Sequence, residues 1–160
     1  SLRRNATPNA PLLLVMGRRA HHLHREAARA DGVEGLRFLG GTARADAAFA
    51  AADLAVAPWS ASMGSSTGRF IADALRLGVP VVAHRKAPGA ELIEPAHFGT
   101  PEIGSLLEHP TAHDWQAALG DYLSRDRINA ATRAAHDVSG VVSMSGLVTR
   151  IESILSGLGR

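Results

Sequence analysis

The stretch from Ala51 to Ala83, AADLAVAPWSASMGSSTGRFIADALRLGVPVVA, decides the fold. Leu54 to Ala57 is a short apolar run stopped by Pro58, and it reads as a strand. Ser60 to Thr67 is small and polar, as a loop is. Gly68 to Leu77 reads as a helix ended by Gly78, and Pro80 to Ala83 as the next strand. Both strand runs are apolar throughout instead of alternating, which is the pattern of strands covered on both faces. Strand, helix, strand of this kind is the repeating unit of a parallel sheet.

The same pattern extends in both directions. Upstream, Leu12 to Met16 is a strand ending at Gly17, and Ala20 to Ala30 is a helix stopped by Asp31-Gly32. Leu36 to Leu39 is a second strand ending at Gly40-Gly41, and Ala43 to Ala52 is a helix behind Thr42 as N-cap. Downstream, Ala90 to Ile93 is a short helix and Phe98 to Ile103 holds a short fifth strand. Trp115 to Leu123, Arg125 to His136 and Leu147 to Leu155 read as helices. The expected fold class is α/β, a Rossmann-like parallel sheet with flanking helices. Leu2 to Ala6 reads as the last turn of a helix, so the expectation is a sheet without the first strand such a domain opens with. The expectation is one domain spanning residues 1–160, cut from a two-domain protein.

Composition narrows the function classes. The chain has 160 residues, 46% apolar and 20% charged, which suits one globular domain and excludes a disordered one. There are no cysteines, which excludes disulfide scaffolds, Cys-zinc sites and thiol nucleophiles. The apolar run Pro11 to Met16 is far shorter than the ~20 residues of a membrane span. Ser1 to Ala10 shows no secretory signal pattern, and a cytoplasmic location is expected. The net charge is +2, aromatics are 4%, and the arginines are scattered among acids, so no nucleic-acid partner is expected.

Ligands of open parallel sheets sit at the carboxyl ends of the strands. The loops that qualify are Gly17-Arg18-Arg19, Gly40-Gly41-Thr42, Trp59 to Arg69 and His84 to Gly89. Within the third, Gly64, Ser65, Ser66, Thr67 and Gly68 lead directly into a helix, with Arg69 adding charge. Small residues let the backbone approach a ligand, and the free amides of a first helical turn favour an anion such as phosphate. The plain alternative is a flexible loop with a Ser/Thr helix cap.

The ordered series of motifs is familiar. Leu12-Leu13-Leu14-Val15-Met16-Gly17, Leu36-Arg37-Phe38-Leu39-Gly40 and Ala51-Ala52-Asp53-Leu54-Ala55-Val56-Ala57-Pro58 come first. Then come Gly68, Asp73-Ala74-Leu75, Gly78-Val79-Pro80-Val81-Val82-Ala83 and Glu91-Leu92-Ile93. Over about residues 2 to 136, the series resembles the C-terminal, donor-binding domain of the group 1 retaining glycosyltransferases of GT-B architecture.

That resemblance implies a nucleotide-diphosphate sugar as ligand (a UDP- or GDP-sugar), a role in carbohydrate biosynthesis, and no required metal or other cofactor. It also implies an N-terminal acceptor domain as partner. The family's Glu-x7-Glu motif falls on Ser65 and Asp73. Asp73 keeps a carboxylate able to accept both ribose hydroxyls, whereas Ser65 keeps only a hydroxyl for the sugar or phosphate. The resemblance further places Gly41 and Thr42 near the base and Gly17 and Arg18 near the diphosphate. The family's usual Arg and Lys for the diphosphate come from an opening segment that has no counterpart in this sequence. Peripheral membrane contact and homodimerisation through an open sheet edge stand as further expectations.

Three other readings compete. Gly64-Ser65-Ser66-Thr67-Gly68 matches the G-x-S-x-G nucleophile pattern with Ser66 as nucleophile, but a strand must run directly into such an elbow. His21, His22 and His24 invite a metal, against the simpler reading of a solvated helix start. A noncatalytic nucleotide-binding or protein-interaction module is the third, and Ser65 in place of Glu favours it.

Overall fold

The structure, a computed structural model, describes residues 13–16, 36–39, 45–59, 66–94 and 103–142, with 148, 152 and 156. The chain divides into two compact units, Ser1–Ala45 and Asp46–Arg160. In the first, β1 (Leu13–Met16) and β2 (Leu36–Leu39) pair in parallel, with Leu13 opposite Leu36 and Met16 opposite Leu39. Both strands lie where their apolar runs predict. The helix expected at Ala20 to Ala30 falls outside the described residues.

The second unit contains α1 (Ala45–Ala50, its first residue lying at the boundary), β3 (Ala55–Ala57), α2 (Ser66–Arg76) and β4 (Val81–His84). A 3-10 turn at Ala90–Leu92 follows, then β5 (Gly104–Leu107), α3 (Ala112–Asp121) and α4 (Arg125–Val142). The three strands form a parallel sheet in the order β3-β4-β5. Central β4 is the best covered: Val81, Val82 and Ala83 have no exposed surface. That burial is why the run carries no polar alternation.

Helices supply the cover. On α2, Ile71, Ala74 and Leu75 are fully buried, one apolar stripe at helical spacing. On α4, Ala131, Ala134, Ala135 and Val138 form a second, small-residue stripe, and α4 packs on α2. Val82 meets Tyr122 and Ala131, with Trp115, Leu119 and Ile128 packed around them. The Tyr122 hydroxyl is not left unpaired, because it shares a hydrogen bond with Ser105 Oγ at 3.1 Å.

The boundaries differ from the sequence reading where polar residues set them. Helix α2 starts at Ser66, before Gly68. Helix α3 starts at Ala112, before Trp115, because Thr111 caps it: its hydroxyl accepts from the Asp114 amide while the Asp114 carboxylate accepts from the Thr111 amide. Helix α4 continues beyond His136 to Val142. Strand β5 runs from Gly104 to Leu107, where pairing with β4 sets its register; of the span Phe98 to Ile103, where a fifth strand is expected, only Ile103 is described, and it lies just before β5. Gly104 fits there because a Cβ would lie 2.0 Å from the Val81 carbonyl oxygen. Of the helix expected at Leu147 to Leu155, Val148 and Glu152 are described, and both are helical and exposed.

Gly78 ends α2 with φ +73°, and a Cβ there would sit 2.2 Å from His136 Cε1 on α4. Gly78→Ala is expected to cost about 1–3 kcal/mol in urea unfolding, from backbone strain and the displaced ring. Adding His136→Ala should recover only the ring's share. Thr111, through its hydroxyl and then its amide, holds the Asp114 carboxyl below the usual value of 3.8. The ionised, capped form therefore stabilises the fold above that pH, and this contribution is lost as pH falls through the lower folded value. Asp114→Asn should flatten this part of the acid limb in unfolding curves measured against pH.

Candidate functional site

Polar side chains follow the buried strands of the second unit at their carboxyl ends. Strand β3 is followed by Pro58 and Trp59, and α2 begins at Ser66. Strand β4 ends at His84 and runs into Arg85 and Lys86.

The first turn of α2 is seated on the loop that follows β4. A Cβ on Gly68 would lie 3.3 Å from both the backbone carbon and oxygen of Pro88, and one on Gly89 would lie 2.9 Å from Gly68 Cα. Gly89 also has φ +87°. Backbone therefore meets backbone, and side chains at Gly68 or Gly89 would pry the contact apart. Thr67, beside this contact, is a polar side chain with only 7% exposure. A first helical turn leaves amides without intrahelical partners, and its dipole favours an anion near them.

Two turns further along α2, Asp73 lies between two guanidinium groups. Its Oδ2 is 3.4 Å from Arg69 Nε and its Oδ1 is 3.8 Å from Arg76 Nε. Arg76 also reaches Asp46 Oδ1 on α1 through Nη2, at 3.4 Å. The Asp73 side chain keeps 29% exposure and Arg69 keeps 88%. These are the helical pairs that three- and four-residue spacing predicts, and they leave the carboxylate reachable from solvent.

The loop after β4 is tied in place by charge. Arg85 pairs with Glu94, beyond the 3-10 turn, and with Glu108, beyond β5, while its amide donates to the Leu107 carbonyl at 2.8 Å. The Lys86 amide donates to His84 Nδ1 at 3.0 Å. The His84 ring stands edge-on to Trp59, with centroids 5.8 Å apart and planes at 63°. Trp59 Nε1 is buried without a hydrogen-bond partner among the described residues. An open cleft of about 290 Å³ lies past β5, lined by Leu106, Leu107, Glu108, His109, Pro110 and Asp114.

Of the residues singled out from sequence, Thr67, Gly68, Arg69 and Asp73 lie on α2, and Ser66 opens it. Gly17, Arg18, Gly41, Thr42 and Ser65 lie outside the described residues, as do His21, His22 and His24. Strand β3 ends at Ala57, and Gly64 and Ser65 of the G-x-S-x-G stretch, with the residues leading into it from Ser60, lie outside the described residues. Among the described residues no cluster of His, Asp or Glu could hold a metal ion, and no helix is long and apolar enough to cross a membrane. Sequence reasoning missed the Trp59–His84 contact and the double pairing of Arg85. Only the position of these residues at strand ends pointed to them.

Comparison with known proteins adds a family and a fold. The family profile described as "Glycosyl transferases group 1" matches residues 2–125. The crystal structure of WaaG, a glycosyltransferase involved in lipopolysaccharide biosynthesis, superposes with a TM-score of 0.67 at 20% identity, over 91% of this chain and 38% of that one. Anabaena Alr3699/HepE in complex with UDP superposes with a TM-score of 0.62 at 21% identity, over 92% of this chain and 42% of that one. The same protein in complex with UDP-glucose gives 0.61 at 21% identity. The chain thus spans about two-fifths of the length of these structures. No curated protein matches it significantly.

Because the pairs on Asp73 are solvent-accessible, they are worth little to stability. Asp73→Ala is expected to change the unfolding free energy by less than about 1 kcal/mol. A larger loss in chemical denaturation would show that Asp73 is a structural residue.

Proposed function

The chain belongs to the group 1 glycosyl transferases, and from that premise we propose that it is the donor half of a two-domain sugar-transferring enzyme. The observation that carries the reading is the placement of Ser66 to Asp73. They run along one helix that starts beyond the carboxyl ends of the parallel strands, with its first turn seated backbone to backbone on Pro88 and Gly89. The resemblance to a protein solved with UDP and with UDP-glucose favours a uridine nucleotide.

In this reading the amides of Ser66 to Arg69 face the diphosphate. The Asp73 carboxylate accepts from the ribose hydroxyls, with Arg69 and Arg76 orienting it. The bond from the anomeric carbon to the diphosphate breaks as the sugar passes to the acceptor. Negative charge then grows on the departing nucleoside diphosphate, where a preorganised positive end lowers the barrier. The family resemblance adds Gly17, Arg18, Gly41, Thr42 and Ser65 as donor-contact residues and implies a separate acceptor domain. The enzyme works in the cytoplasm, where nucleotide sugars are made, or at the adjoining membrane surface.

A noncatalytic nucleotide-binding module is the second reading. Ser65 favours it, since one neutral oxygen replaces the carboxylate the family uses for the sugar.

Calorimetric titration with UDP, GDP and ADP tests both readings. One nucleotide, UDP by preference, should bind, and Asp73→Ala should weaken it roughly tenfold or more, as loss of a charge-assisted hydrogen bond does. Absence of binding by all three would overturn the donor reading.

A further inference from the structure

Trp59 Nε1 is the buried side-chain polar atom that has no partner among the described residues. A buried donor left unpaired is costly, and in native structures such a group marks a place that a water or a ligand oxygen fills. Its position narrows that use. Trp59 follows β3 by two residues, at the end of the sheet where the proposed donor lies, and its ring is half-buried. The edge-on His84 ring fixes it from the neighbouring strand. Since His84 Nδ1 accepts from the Lys86 amide, the neutral imidazole carries its proton on Nε2. The carboxyl ends of β3 and β4 thus carry two neutral N–H donors on touching rings. The charges beside them balance, with Arg85 and Lys86 set against Glu94 and Glu108. Such a place suits an uncharged acceptor oxygen better than a further phosphate.

We propose that the indole N–H of Trp59 is held for a hydroxyl oxygen of the transferred sugar, with His84 as the residue that positions the indole. The proposal rests on the donor reading above and extends it to the sugar. It also gives this chain a sugar contact where Ser65 has replaced a carboxylate.

The two tryptophans give two indole N–H signals in a nitrogen-15-labelled sample of the full chain. Trp115→Phe assigns the Trp59 signal; if that variant fails to fold, Trp59→Phe assigns it by loss. UDP, GDP and ADP are each compared with UDP-glucose, GDP-mannose and ADP-glucose. The expected result is a Trp59 indole signal that moves downfield with one sugar donor and much less with its parent diphosphate. Trp59→Phe should then weaken that sugar donor roughly five- to tenfold more than the diphosphate. If the backbone amides of Thr67 to Arg69 respond while the indole stays still, or responds equally to both ligands, the sugar assignment is overturned and the donor reading stands. An indole holding a permanent water would behave in this way. If no signal responds to any of the ligands, both are overturned.

Discussion

Val81, Val82 and Ala83 see no water, and the organisation of the second unit depends on that. A parallel strand with a strand on each side and helices packed on it has no place for a polar side chain along its length. Every group able to do chemistry is pushed to the strand ends or to the helices' outer faces. The same burial demands that α2 come close enough to seal the sheet, and the apolar stripe of Ile71, Ala74 and Leu75 does this. Sealing the sheet also sets where the helix starts, so the requirement that keeps water out of the core delivers Ser66 to Arg69 beyond the strand ends.

Glycine governs the finer geometry. Gly68 and Gly89 let the first turn of α2 and the loop after β4 touch through their backbones. The turn's position is therefore set by main-chain contact, whereas the charges nearby adjust the surroundings. Arg85 gathers Glu94 and Glu108, and Asp73 is shared between Arg69 and Arg76. A carboxylate shared between two exposed arginines stays open to a ligand, which a buried pair would not allow.

How much could be read in advance follows from how local each cause is. The runs at Leu13, Leu36, Ala55 and Val81 declare themselves because burial on both faces leaves an unbroken apolar string. The partners of Asp73 are legible from spacing alone, because three and four residues along a helix make neighbours. The fifth strand was not legible: Gly104 and Ser105 have little strand preference, and β4 and the Tyr122 hydroxyl hold them there. The early start of α3 came from a capping pair, Thr111 with Asp114, that an apolar period cannot reveal. Trp59 against His84 depends on two strands lying side by side, so no window along the chain contains it.

The order β3-β4-β5 has a kinetic consequence. Each strand pairs with its neighbour in the chain, so each crossover closes one modest loop, and closure entropy grows only slowly with loop length. Helices form in about a microsecond or less, well before long-range strand pairs are made. Once wound, α2 shortens the span between β3 and β4 and offers both a surface to condense on. The middle strand, however, is covered only when both of its neighbours have arrived. The burial of β4 is therefore complete only when β3, β5 and the covering helices are all in place.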